Sequence, residues 1–164
     1  MVLCNIGAVS LNLVLLWELA KYEHPEAVEE TFFNILDDRM ELVRQFLRKR
    51  YETIENMPCS SNPLAFTQGG FYHGRKHPDE KVGDLTEYMT ASFGYVGLHE
   101  VTEEARGIGL YEDHGKVAQK ILKRMNDNIA RFKEEDHRLY ALYGKLCAIV
   151  KLSNETCNLG FKRV

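Results

Sequence analysis

Cys4 and Asn5 stand side by side just before an apolar stretch. They offer a thiol for radical or nucleophilic work and an amide that can both donate and accept hydrogen bonds. Taken by type alone, an isolated cysteine is more often a small buried hydrophobe. His73 and His77 have the four-residue spacing of a helical metal pair, with Cys59 as a possible third donor, but Gly74 and Pro78 disfavour helix there. They read as solvated loop histidines. Thr67-Gln68-Gly69-Gly70 has the composition of an anion-cradling turn without the lysine-serine pair or helix start of a phosphate loop. Glu100, Glu103, Glu104, Glu112 and Asp113 are plentiful carboxylates. Acid and base roles need two of them in one desolvated pocket, and they read as a solvated face. The GxSxG, HExxH and GxGxxG signatures are absent.

These residues must be held by elements. Ile6 to Leu13 sets Ile6, Val9, Leu11 and Leu13 among small or polar neighbours, which predicts a buried strand. From Glu26, the residues Phe32, Leu36, Met40, Val43, Leu47, Tyr51 and Ile54 recur every three or four positions between charges, which predicts a long amphipathic helix. Pro25 lies near its first turn, Glu26, Glu29 and Glu30 favour the positive end of its dipole, and Pro58 ends it. Residues 57–83 hold Pro58, Pro63, Pro78, Gly69, Gly70, Gly74 and Gly83 and read as a long functional loop.

Asp84 is expected to cap a helix running through Tyr88, Met89 and Ser92 to Glu104, with Ala91, Ser92, Gly94 and Gly97 as a small-residue side. Two glycines in a helix cost about 1 kcal/mol each, so a closely approaching backbone is expected there. A further helix is predicted from Gly115 to Phe132, then a short strand from Leu139 to Tyr143 ending at Gly144. Strand, helices, strand predicts a helix-rich α/β architecture. Two strands so far apart in the chain cannot complete a sheet, so oligomerisation or membership of a larger barrel is expected. A core strand almost at the first residue points the same way, an amino-terminal edge strand being the alternative.

Composition adds limits rather than a function. Of 164 residues, 45% are hydrophobic and 27% charged, as in one soluble domain, and the formal charge of -3 gives no positive field for nucleic acid despite Arg44, Arg48, Lys49 and Arg50. Leu11 to Leu16 is too short and polar to span a membrane, so a cytoplasmic chain is expected. Cys4, Cys59, Cys147 and Cys157 form no CxxC pair and no secretory disulfide framework.

Several ordered segments go further. The run from Cys4, Asn5, Ile6 and Gly7 through Val9, Ser10, Leu11, Asn12 and Leu13 resembles a segment of the anaerobic, glycyl-radical ribonucleoside-triphosphate reductases. Asn62 to Gly70, Phe71 to Gly83, Ala91 to Glu100 and Leu139 to Gly144 resemble the same family in the same order. The resemblance implies a partial segment, residues 1–144, of a ten-stranded α/β barrel, followed by a divergent tail at 145–164. It also implies reduction of ribonucleoside triphosphates to deoxyribonucleoside triphosphates for anaerobic DNA synthesis. A barrel thiyl receives the spin of a glycyl radical installed by a radical-SAM activase with an iron-sulfur cluster. The reductant is formate or a thiol system, and the family enzyme is a homodimer.

By the same resemblance Asn5 is the substrate-binding asparagine beside the ribose hydroxyls. Cys4 is not the radical cysteine, because strand neighbours point to opposite faces. That cysteine, the Thr-Pro-Ala-Glu-Ser turn that holds the phosphates, the carboxy-terminal zinc motifs and the radical glycine have no counterpart here; Lys145, Leu146, Cys147 and Ala148 stand where the turn is expected. The expectation is therefore a truncated or frameshifted product, inactive alone, with no metal or cofactor of its own. Readings kept beside it are a non-catalytic helical assembly or binding module, using the Phe32 to Ile54 helix or the small-residue side around Gly94, and another glycyl-radical enzyme of the formate-lyase kind.

Overall fold

The computed structural model, which describes residues 4–69 and 74–144, begins with a strand that ends where an asparagine side chain can start a helix. β1 (Cys4–Asn12) passes directly into α1 (Leu13–Glu23), and Asn12 caps that helix by accepting from the Leu15 N–H at 3.3 Å. The expected strand ran through Leu13, and α1 was not foreseen. Leu13, Leu16, Trp17 and Ala20 are its buried residues, at helical spacing. The unbroken apolar run that opens it hides that period.

α2 (Val28–Glu55) is the predicted long helix, and it buries Phe32, Leu36, Met40, Val43, Leu47 and Tyr51. Its first turns meet α1 where Trp17 and Phe32 pack edge to face with centroids 5.3 Å apart. The loop beyond is built from short pieces: a 3-10 turn (Cys59–Ser61), α3 (Pro63–Phe66) and a 3-10 helix (Gly83–Tyr88).

The predicted helix from Asp84 to Glu104 is corrected by the structure. Its middle is a strand, β2 (Met89–Val96), and α4 (Leu98–Arg106) starts only after Gly97 turns the chain at φ 87°. Large and small residues alternate along β2: Met89, Ala91, Phe93 and Tyr95 on one side, Thr90, Ser92 and Gly94 on the other. The close approach expected of the small residues is real but belongs to a sheet. A Cβ on Gly94 would lie 3.0 Å from the Cβ and 3.1 Å from the Cα of Ser10 on β1.

α5 (Lys116–Asp136) and β3 (Leu139–Gly144) complete the described chain close to their predicted bounds. Residues 145–164 lie outside the described residues. The sheet therefore has three strands rather than two, all parallel, in the order β1-β2-β3. Two crossovers of one hand that step the same way across a sheet place their helices on the same face. Phe93, Tyr140 and Phe132 of α5 meet there, with Phe93 5.5 Å from Tyr140 and 5.8 Å from Phe132. The Tyr51 hydroxyl of α2 donates toward the carbonyls of Met89 (2.8 Å) and Leu139 (3.1 Å), tying the starts of β2 and β3 to that helix; burial pushes its pKa up to about 12.

One buried ion pair closes this layer. Arg44, 8% exposed on α2, grips Asp136 at the end of α5 with two hydrogen bonds of 2.8 and 2.6 Å, and the Tyr140 hydroxyl donates to the same carboxylate at 2.9 Å. The guanidinium also lies 4.7 Å from the Phe132 ring centre. Burial pushes the Asp136 carboxyl up, but the hydrogen bonds from Arg44 and Tyr140, with the Arg44 and Arg48 charges, outweigh it and hold the group below its ordinary 3.8. A depressed folded value contributes stability that is complete above the unfolded value and is lost as pH falls through the folded one. Asp136→Asn is expected to lower stability at pH 7 by about 1–3 kcal/mol, because it removes the charged acceptor of two Arg44 hydrogen bonds while Glu135 (2.7 Å) and Glu41 (3.2 Å) still pair with the guanidinium, and to flatten the stability profile below pH ~4. Urea unfolding at pH 7 and pH 3 checks both; a loss below about 1 kcal/mol at pH 7 would place the pair with ordinary surface ion pairs.

Candidate functional site

The site is decided by an irregularity in β1. Cys4 pairs with Met89 and Asn5 with Thr90, but the next pair is Gly7 with Ala91, so Ile6 is left out of the ladder. Such a bulge inserts one residue and reverses the facing of everything beyond it. Asn5 consequently shares a face with Ala8, Ser10 and Asn12. Strict alternation would have grouped it with Gly7, Val9 and Leu11 on the helix side.

Three polar contacts hold the bulge. The Gly7 N–H donates to Asn5 Oδ1 at 2.8 Å, Asn5 Nδ2 donates to Ser92 Oγ at 2.6 Å, and Arg50 Nε on α2 donates to the Ile6 carbonyl. A backbone N–H can only donate, so Oδ1 must face Gly7 and Nδ2 must face Ser92. Gly7 makes room for Arg50, since a Cβ there would stand 2.9 Å from Arg50 Nε.

The face that carries Asn5 is polar and small along β1 and β2, with Leu139 and Tyr143 as exposed apolar side chains on β3. Across the strands, Asn5, Thr90 and Leu139 share one row; Ala8, Ser92 and Ala141 the next; Ser10, Gly94 and Tyr143 a third. Asn5, Ala8, Ser10 and Asn12 are exposed, whereas Ser92 is buried between its neighbours. None of these strand residues is a cysteine or a carboxylate. Cys4, in register with Met89, packs against the helix-side core instead.

A second concavity lies at the carboxyl end of β2. It encloses about 620 Å³ between α4, α5 and their connecting loop, with Tyr95, His99, Tyr111, His114 and Gln119 among its lining residues. The remaining sequence candidates fall elsewhere. His73 and Gly70 lie outside the described residues. His77 is exposed with its Nδ1 3.6 Å from Asp79, and Cys59 is buried with its thiol pKa raised by desolvation. Among the described residues no group of three or more His, Cys, Asp or Glu is placed to hold a metal. Thr67 and Gln68 both spend their N–H groups on the Pro63 carbonyl at 2.9 Å, closing α3, so they are not free to cradle an anion. Of the five carboxylates read as a solvated face, Asp113 departs: it is buried and accepts from the Val117 N–H at 2.9 Å in the first turn of α5. Residue order signals neither Ser92, the acceptor for Asn5, because β2 has the composition of a small-sided helix, nor Arg50, which donates to the adjacent Ile6 carbonyl and stands in a basic run.

The family model described as anaerobic ribonucleoside-triphosphate reductase matches residues 2–145. The chain belongs to that family. It is 28% identical over 144 residues to the anaerobic ribonucleoside-triphosphate reductase of Escherichia coli K12, and 27% identical to those of Haemophilus influenzae, over 144 residues, and Enterobacteria phage T4, over 141. Each match covers 85% of this chain but only 19% of the bacterial proteins and 22% of the phage protein, so the chain spans about a fifth of the relatives' length. Three of the segments that resemble the reductases are strands: β1, β2 with the start of α4, and β3. No helix among the described residues is long and apolar enough to cross a membrane.

The tight contact between β1 and β2 on this face gives a direct test. Gly94→Ala must displace Ser10 and is expected to cost about 1–3 kcal/mol, whereas Ala8→Ser, on an exposed position of the same face, is expected to stay within about 0.5 kcal/mol of the parent. Urea denaturation of the two variants checks the contrast.

Proposed function

We propose that the chain supplies part of the substrate-facing sheet of an anaerobic ribonucleoside-triphosphate reductase, with Asn5 as the residue that meets the ribose. The observation that carries this reading is the bulge, which turns the amide of Asn5 out of the helix-covered core and onto an open, polar face in a chain of the reductase family. The amide keeps one N–H and one oxygen lone pair uncommitted, a donor and an acceptor suited to a sugar diol.

The reading extends to a ten-stranded barrel around the described strands, with residues 1–144 as a partial catalytic domain and 145–164 as a divergent tail. It includes reduction of ribonucleoside triphosphates by a radical route in the cytoplasm, for DNA synthesis without oxygen, in a homodimer served by a radical-SAM activase. A thiyl generated from the glycyl radical removes a ribose hydrogen in that chemistry. Neither the radical glycine nor zinc is assigned to a residue of this chain, and no cysteine shares the face of Asn5 among the described strand residues. The chain alone is therefore expected not to turn over.

The alternative of a helical binding module loses its first surface, because Phe32, Leu36, Met40, Val43, Leu47 and Tyr51 are consumed by the chain's own core. Leu42 and Phe46, 56% and 54% exposed on the other side of α2, and the small-residue face around Gly94 are what such a module has left.

Titrating the isotopically labelled chain with CTP is expected to shift the Asn5 side-chain amide signals. Weaker shifts are expected with dCTP, which lacks the 2'-hydroxyl, and none at this face in Asn5→Ala. Equal responses to CTP and dCTP would remove the ribose-diol reading. Incubation with CTP, formate and a family activase without oxygen is expected to yield no dCTP, and any sustained dCTP formation would overturn the expected inactivity.

A further inference from the structure

We propose that Ser92 and Arg50 are positioning residues for Asn5, Ser92 holding its amide from the neighbouring strand and Arg50 holding the adjacent bulge from the helix behind the sheet. The proposal rests on the reading of Asn5 as a ribose-facing residue and adds to it two residues that touch no ligand themselves. Ser92 is 4% exposed, so its hydroxyl is sealed into the sheet and acts through the 2.6 Å bond from Asn5 Nδ2. Arg50 arrives from α2 on the opposite face and reaches only the backbone, at the Ile6 carbonyl.

The two contacts control different freedoms. An asparagine amide turns readily about its last torsion, and its two ends differ as donor and acceptor. With Gly7 N–H on Oδ1 and Ser92 on Nδ2, one rotation is selected, and the uncommitted N–H and lone pair acquire fixed directions. Arg50 governs the backbone instead. Ile6 is out of the ladder, so its carbonyl takes the guanidinium as partner, and a buried carbonyl without one is costly. Without Arg50 the bulge loses the contact that favours it over regular alternation, and regular alternation turns Asn5 toward the core. Gly7 fits the same design, because a side chain there would push Arg50 aside.

The experiment uses the full 164-residue chain, labelled with 15N, and follows solvent exchange of the Asn5 side-chain amide protons. Ser92→Ala and Arg50→Met are each expected to accelerate that exchange about tenfold, the scale of one net hydrogen bond, while Ser92→Thr, which keeps the oxygen acceptor, retains the slow exchange. Lys49→Met, at the neighbouring exposed position, is expected to change nothing. Arg50→Met alters a largely exposed side chain, so it keeps the test open if Ser92→Ala loses its cooperative melt. In the same samples, the CTP-induced shift of the Asn5 amide is expected to shrink in both variants while backbone spectra stay native-like.

Unchanged exchange in the folded variants overturns the positioning proposal whether or not CTP binds. Accelerated exchange in a chain whose Asn5 ignores CTP upholds the positioning of the amide and overturns the ribose reading on which its purpose rests. The two failures are therefore read from separate signals.

Discussion

A three-stranded parallel sheet wound in one direction can cover only one of its faces with its own helices, and every other feature of this chain follows from that asymmetry. α1, α2, α4 and α5 share a layer, and the core lies between that layer and one side of the sheet. The other face carries mostly small and polar residues, Asn5, Ala8, Ser10, Thr90, Ser92 and Gly94, with Leu139 and Tyr143 left exposed along β3. A sheet covered on one side alone is an uncommon end state for parallel strands, which is why the open face reads as a surface intended to meet something else.

The bulge at Ile6 makes the partition between the faces chemically useful. Period-two alternation gives a strand no means of placing both Asn5 and Ser10 on the same side, since they are five positions apart. One extra residue corrects the parity, and the polar groups it frees are taken up at once by Asn5 and Arg50. The irregularity and the site are thus one feature.

The helix layer must be stiff for a contact such as that of Arg50 to be reproducible. Stiffness comes from the Arg44, Asp136 and Tyr140 cluster, which joins the middle of α2 to the turn between α5 and β3, and from Tyr51, which binds two strand carbonyls nearer the far end of the same helix. α2 is consequently registered against the sheet at two points. Arg50 lies between them in sequence, within one turn of Tyr51, where its reach to β1 is least free to drift.

The long helix, the helix from Gly115 and the last strand were legible from residue order because each declares its period over many positions, as Phe32 to Ile54 does. β2 was not: Ala91, Ser92, Gly94 and Gly97 suit a small helical side as well as a strand face, and only Ser10 across the sheet distinguishes them. α1 was concealed by the apolar run after Asn12, although the capping asparagine was a local signal. Asn5 was singled out by family likeness, yet its facing could not be, because alternation counted along β1 gives the wrong answer on one side of Ile6. By itself the sequence determined the α/β class, through residue type and local spacing, and the family and the candidate amide, through ordered likeness to the reductases. The number of strands, the orientation of Asn5 and the contacts of Ser92 and Arg50 were decided only by tertiary structure, because hydrogen-bond register between distant segments leaves no trace in the order of residues within either one.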